Sequence, residues 1–228
     1  MRVFIEYTRE DRVRYISHLD LMRSIQRTIR RAKIPVAFSE GYNPHPRLSF
    51  ALPLSVGVTS STEYMDIILD EKVDVYDLLQ SFSDHLPQGI SVTGATKVDR
   101  SVPSLMSLVG RADYRVSTSK KLSKVDQAIN KFMQQKEIIY DKPGKRGIRQ
   151  VDIRDGIFDM QLDDALHMDV LLCLMSGSRG NVKPEVVISK LLAFMGQDEE
   201  GISLDIHRTG IYIKHEEEWQ TPLALGEV

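Results

Sequence analysis

Arg23, Arg27, Arg30 and Arg31 recur at a spacing that gathers four guanidiniums on one side of a single helix. At about 100° per residue they fall within a roughly 100° arc. Met22, Ile25, Ile29 and Ala32 fall on the opposite side. Cations packed this closely repel one another unless an anion lies nearby, and the planar donor fork of arginine suits phosphate best. A solvated basic face, partly neutralised by Asp20, is the competing reading. Ser17 followed by Asp20 is the start signal of this helix: hydroxyl and carboxylate satisfy free N–H groups of its first turn. Pro35 closes it, because the residue before a proline is pushed away from helical angles.

After the helix and a short strand comes Glu40-Gly41-Tyr42-Asn43-Pro44-His45-Pro46-Arg47, a loop stiffened by two prolines. Stiffening lowers the entropy lost on gripping a ligand. Tyr42 and His45 could stack on exposed bases, Asn43 could read a base edge, and Arg47 could take a phosphate. A rigid turn initiated by Asn43 is the plainer alternative. Catalytic readings of the same region are weaker. His18 with His45 would make an acid–base pair for RNA cleavage, and Asp20 would make a nucleophile for base modification. A structural histidine near the apolar side and a capping carboxylate explain His18 and Asp20 without chemistry. No catalytic residue is therefore assigned.

In the second half, Lys142-Pro143-Gly144-Lys145-Arg146-Gly147-Ile148-Arg149 is a basic turn whose Lys145, Arg146 and Arg149 could extend a phosphate-binding surface. It lacks the G-x-x-x-x-G-K-[ST] spacing of a nucleotide-triphosphate loop. Asp152 and Arg154 follow on one strand face. Ser176 to Asn181, with Arg179, reads as a flexible loop. No spacing among His18, His45, His85, His167, His207 and His215 makes a metal signature. The single Cys173 sits in an apolar run and reads as a small buried thiol, so no cofactor and no metal are expected.

The bulk numbers admit this picture. A net charge of −2 excludes a generally basic nucleic-acid coat, but local patches remain possible. Residues 12–47 carry eight Lys/Arg against two Asp/Glu, and residues 111–154 carry twelve against five. Each basic stretch is followed by an acidic one, which hints at two halves of similar plan. One cysteine, no secretory apolar region and no run near the roughly 18 apolar residues of a membrane span point to a cytoplasmic protein.

The elements repeat in step with the charge. Val3, Ile5 and Tyr7 alternate as a strand, and the arginine helix follows. Strands are expected at Val36 to Phe38, continuing at Leu48 to Leu52, and at Glu63 to Leu69. A helix from about Val75 to Leu86 and a strand from Ile90 to Ala95 complete a split β-α-β-β-α-β order. Ser101 to Gly110 reads as a connector. A strand at Tyr114 to Ser117, a helix from about Ser123 to Gln135 and a short strand at Ile138 to Tyr140 open the second half. A turn at Asp141 to Lys145 leads to a long hairpin of Gln150 to Leu162 with His167 to Met175. A helix from Pro184 to Gly196 and a strand from Leu204 to Ile213 close it. The expected fold class is α+β: two tandem ferredoxin-like (βαββαβ) units with antiparallel sheets, over residues 1–100 and 111–228. Two helices would cover one sheet face and leave the other open for a partner.

The motifs Tyr15-Ile16-Ser17-His18-Leu19-Asp20, Gly41-Tyr42-Asn43-Pro44-His45-Pro46-Arg47-Leu48-Ser49-Phe50 and Pro53-Leu54-Ser55-Val56-Gly57 carry a resemblance. With Glu63-Tyr64-Met65-Asp66 and Val151-Asp152-Ile153-Arg154, the chain resembles the bacterial radical-SAM-linked protein family. The resemblance implies a radical SAM protein as partner and brings no assigned activity or catalytic residues. One cysteine cannot hold an iron–sulfur cluster, so this chain would be the linked partner and not the radical enzyme. The expectation is a non-catalytic RNA-binding accessory protein presenting RNA, tRNA or rRNA, to that partner. An RNA-processing or RNA-modifying enzyme, and a protein-only scaffold docking on an acidic surface, are the alternatives.

Overall fold

The computed structural model describes residues 1–119, 122–144, 147–164, 169–178 and 180–226. No described helix is long and apolar enough to cross a membrane. The fold is α+β and divides into two compact units, Met1–Gly110 with Arg208–Val228, and Arg111–His207.

The first unit runs β1 (Arg2–Arg9), α1 (His18–Arg31), β2 (Leu48–Phe50), β3 (Val58–Ile68), α2 (Val75–Ser83), β4 (Val92–Lys97) and the short α3 (Leu105–Leu108). β1 lies between β4 and β3, and β2 pairs with the far side of β3. All three pairings are antiparallel. Val3, Ile5, Tyr7, Met65 and Ile67 point to one face, where Leu21, Ile25 and Ile29 of α1 and Leu78 and Phe82 of α2 bury against them. Burying a large aliphatic or aromatic side chain is worth about 1.5–3 kcal/mol, so this stripe fixes which side of α1 faces water.

The other face of this sheet is not open. Arg2, Phe4, Tyr64 and Asp66 point to it and all are buried. The expected connector folds over them: Leu105 of α3 is fully buried, and Arg2 donates to the carbonyls of Val102 and Pro103. The turn Pro222–Leu225 packs on β1 and β4, with Leu223 close against Gly94. Arg2 holds Asp66 in a two-pronged pair, Nε to Oδ1 at 3.0 Å and Nη2 to Oδ2 at 2.8 Å. The expectation of an exposed sheet in this unit is therefore corrected, because 98–108 and the terminal turn supply the missing layer.

The second unit runs β5 (Val109–Thr118), α4 (Val125–Met133), β6 (Ile139–Gly144), β7 (Gly147–Asp152), β8 (Ile157–Asp164), β9 (Asp169–Met175), α5 (Pro184–Phe194) and the start of β10 (Leu204–His215). β9 lies between β5 and β8, antiparallel to both. Ser119 and Ser203 exchange two 3.0 Å bonds where β5 ends and β10 begins. Ala112, Tyr114, Val116, Val170, Leu172 and Leu174 bury beneath α4 and α5, whose Phe132 and Phe194 rings meet at 5.7 Å. The alternate residues are polar: Arg111 pairs with Asp113 at 2.7 Å, Arg115 with Asp163 at 2.9 Å, and Ser117 donates to Asp169 at 2.6 Å.

Two local expectations differ from the structure. Val36 and Phe38 form only isolated bridges, since neighbouring prolines lack the N–H groups of a ladder. The expected turn at Asp141 to Lys145 is strand up to Gly144, and β6 and β7 form their own two-stranded sheet before β8. From Arg208 onward the chain groups with the first unit, where the sequence reading placed 111–228 together. β11 (Glu218–Gln220) pairs back on β10 there.

Removing one partner of the buried Arg2–Asp66 pair strands a charge in the interior and costs about 3–5 kcal/mol. Arg2→Met should lower the free energy of urea unfolding by that much, and the double variant R2M/D66L should be more stable than Arg2→Met alone. A double variant no better than the single would show that the pair's charge is not what the site must satisfy.

Candidate functional site

α1 starts as its sequence dictates. The Ser17 hydroxyl accepts the Asp20 N–H at 3.2 Å and donates to Asp20 Oδ2 at 2.7 Å. Asp20 Oδ1 takes Arg23 Nη1 at 3.3 Å. Both carboxylate oxygens are engaged at the helix start, which is the geometry of a cap. Arg31 reaches across to the His85 carbonyl at 2.7 Å and to Thr28 Oγ1 at 3.3 Å. Arg27 and Arg30 are exposed and make no hydrogen bond or ion pair among the described residues. Two of the four guanidiniums are thus free, one is shared with a carboxylate, and one braces α1 against the turn after α2.

The proline-braced loop closes on itself. Ser39 donates its N–H to the His45 carbonyl at 2.9 Å, and Ser39 Oγ is hydrogen-bonded to His45 Nδ1 at 2.9 Å. Gly41 has φ +116°, a conformation that side chains rarely adopt. Tyr42 stands fully exposed, and Asn43, His45 and Arg47 are exposed beside it. His45, Arg47, Ser49, Asp66 and Ile68 line an open cavity of about 300 Å³.

Strand alternation decides what this loop faces. Phe50 of β2 packs into the core under α1, so Ser49 and Arg47 point to the opposite side, toward Asp66. The His18 ring meets Phe50 edge-on at 5.2 Å, on the α1 side. The arginine ridge and the loop therefore do not line one groove, and His18 and His45 are not brought together as an acid–base pair.

A polar cluster absent from the sequence reading lies beneath the start of α1. Arg208 Nη1 donates to Glu63 Oε1 at 2.7 Å, and both side chains are almost fully buried. Arg208 Nη2 reaches the Pro53 carbonyl at 3.3 Å. Arg9, fully buried, donates Nη2 to the carbonyls of Val13 (3.3 Å) and Ile16 (3.1 Å), while its Nε and Nη1 have no hydrogen-bond partner among the described residues. Burial first and Glu63 second push the Tyr7 hydroxyl's pKa well above its ordinary range. The signal was present in the sequence: continuing the period of two from Val3, Ile5 and Tyr7 puts Arg9 on the core face.

Lys145, Arg146, His167 and Arg179 lie outside the described residues. Arg149 is exposed on β7, and Arg154 donates to the Met133 and Ile157 carbonyls, a structural role. Among the described residues no group of three His, Cys, Asp or Glu is placed to hold a metal. The Cys173 thiol is pushed up to about 11, by burial first and then Asp113, so at neutral pH it carries its proton.

His18 supplies a pH signature. Burial first, and Arg9 second, hold its imidazole below the usual pKa of 6.5. The folded state then resists a proton that the unfolded chain accepts. Stability should fall as pH drops below about 6.5. His18→Gln should reduce the loss of Tm between about pH 7 and pH 5, leaving the share of His207, which burial shifts the same way. An unchanged pH slope in the variant would remove His18 from the account.

Among curated proteins no relative matches this chain. Residues 2–184 match the family described as an uncharacterized protein conserved in bacteria (DUF2344), a span from β1 to the first residue of α5. On that match the chain belongs to this bacterial family of unassigned activity.

Proposed function

We propose that the protein is a non-catalytic RNA-binding accessory protein whose α1 ridge takes backbone phosphates. The observation that carries this reading is the pair Arg27 and Arg30, exposed on one helix face with no carboxylate to neutralise them. A guanidinium offers five donors in a fork that matches phosphate, and neighbouring forks track successive phosphates along a strand. Arg23 is available through its long, exposed contact to Asp20. Tyr42, Asn43, His45 and Arg47 form a second, separate contact region at the sheet edge. Both units fit a ferredoxin-like plan, β4-β1-β3-β2 in the first and β10-β5-β9-β8 in the second, with β6–β7 inserted after α4. In this reading the helices bind and the sheets do not: one sheet is covered on both faces, and the polar face of the other carries Asp113, Asp159, Asp163 and Asp169. The motif resemblance supports a radical SAM protein as the partner to which RNA, tRNA or rRNA, is presented.

A protein-only scaffold is favoured by one further observation. Tyr15, Leu19 and Val56 are exposed apolar side chains at the start of α1, and Tyr15 lies against Gly57. Leu19 shares the helix flank of Arg23 and Arg30, so an acidic partner with an apolar centre would also fit.

Fluorescence anisotropy with total tRNA at low salt separates the two. R27E/R30E should weaken RNA binding at least tenfold with an unchanged thermal melt, and should flatten the slope of log K against log salt by roughly 1.5. Unchanged affinity would end the RNA reading. Leu19→Ser, which adds no charge beside Arg23 and Arg30, should leave RNA affinity unchanged and abolish a complex only if that complex is made by protein contacts.

A further inference from the structure

We infer that the cleft between the β6–β7 hairpin and the start of α5 is a binding site for a nucleoside monophosphate. The cleft belongs wholly to the second unit and has two lobes of about 280 and 610 Å³. These volumes fall in the range of small-molecule sites. Both lobes share Lys142, Pro143, Val151, Ile153, Asn181 and Val182.

The hairpin register sets the chemistry of the wall. Tyr140 pairs with Val151, and Lys142 pairs with Arg149, so all four project from the same hairpin face. That face lines the cleft. Like charges directly opposite each other on a ladder are destabilising. Lys142 and Arg149 nevertheless stand there without an ion pair among the described residues, which is the arrangement an anionic ligand would complete. Lys183, on the first lobe, is already shared with Glu185 at 3.4 Å and is not counted. Two acids lie on the rim. Asp152 is engaged by the N–H groups of Ile138 (2.8 Å) and Arg154 (2.9 Å), and Asp155 is exposed.

The floor is apolar and closely packed. Val151, Ile153, Val182 and Val186 supply it. A methyl group on Gly156 would lie 2.4 Å from Val182, and one on Gly180 would lie 2.5 Å from the Met175 sulfur. Val182 is stiff at χ1, so a Cβ at Gly156 has no room, whereas at Gly180 the flexible Met175 thioether could move aside. A ring held over this floor beside Tyr140, with its phosphate between Lys142 and Arg149, uses every feature of the cleft. The exposed amide of Asn181 can meet a base edge from either lobe. This site is separate from α1 and does not rest on the RNA reading.

Two-dimensional NMR of the full-length chain, titrated with AMP, adenosine and inorganic phosphate, tests the proposal. AMP should shift the methyl signals of Val151, Val182 and Val186 in a saturable way, and phosphate should bind more weakly. K142A/R149A should weaken AMP at least tenfold while leaving adenosine unchanged, and R27E/R30E should leave AMP binding intact. Absent valine shifts, phosphate binding as tight as AMP, or an unchanged K142A/R149A affinity would each overturn the assignment.

Discussion

The buried ion pair of Glu63 and Arg208, with Arg9 near it, anchors the chain around the start of α1, whose apolar stripe then turns the arginine ridge to water. Taking two charges out of water is costly, so each must be met by a partner of good geometry. Arg208 meets this demand by bonding Glu63 and the carbonyls of Leu52 and Pro53, which fixes the chain between β2 and β3. Arg9 performs the same task for the carbonyls of Val13 and Ile16 just ahead of α1. Two cations and one carboxylate thus pin the two segments that flank the helix N-terminus. Hydrophobic burial alone would hold α1 on the sheet but would leave these carbonyls unsatisfied.

That arrangement decides which surfaces remain for a partner. The first unit uses its own connector and terminal turn to cover the sheet face opposite the helices, and the Arg2–Asp66 pair is closed in by that cover. RNA readers built on an open sheet present aromatic residues from strands. Here the strand aromatics Phe4 and Tyr64 are buried, with Tyr64 donating to Glu6 at 2.8 Å. In the proposed reading, RNA contacts on the first unit therefore fall to the surfaces of α1 and the proline-braced loop, where Arg27, Arg30 and Arg47 are exposed.

Much of this was legible in the sequence because it is set locally. Ser17 and Asp20 announced the helix start, and the spacing of Ile25 and Ile29 against Arg27 and Arg30 announced its two faces. The alternation of Val3, Ile5 and Tyr7 did the same for β1. The relation between ridge and loop was not legible, because it depends on the register of β2 on β3, Phe50 opposite Met65, which no local signal states. The buried cluster escaped for a different reason. Arg9 and Arg208 occupy inward strand positions, and a charge there ends an apolar pattern that the backbone in fact continues. The layer of residues 98–108 was hidden because Pro103 and the serines around it read as a linker, although Leu105 is fully buried.

The division of charge follows from the same constraints. The chain carries a small net negative charge, yet its free guanidiniums stand on α1 and its opposed cations on the β6–β7 hairpin. On the polar face of the second unit's sheet, Asp113 and Asp163 are paired with Arg111 and Arg115. A paired charge on a sheet has its field cancelled within a few ångströms, whereas an unpaired one at a helix surface or a hairpin reaches about a Debye length into solution. Placement, more than composition, is what the proposed phosphate binding of this nearly neutral protein rests on.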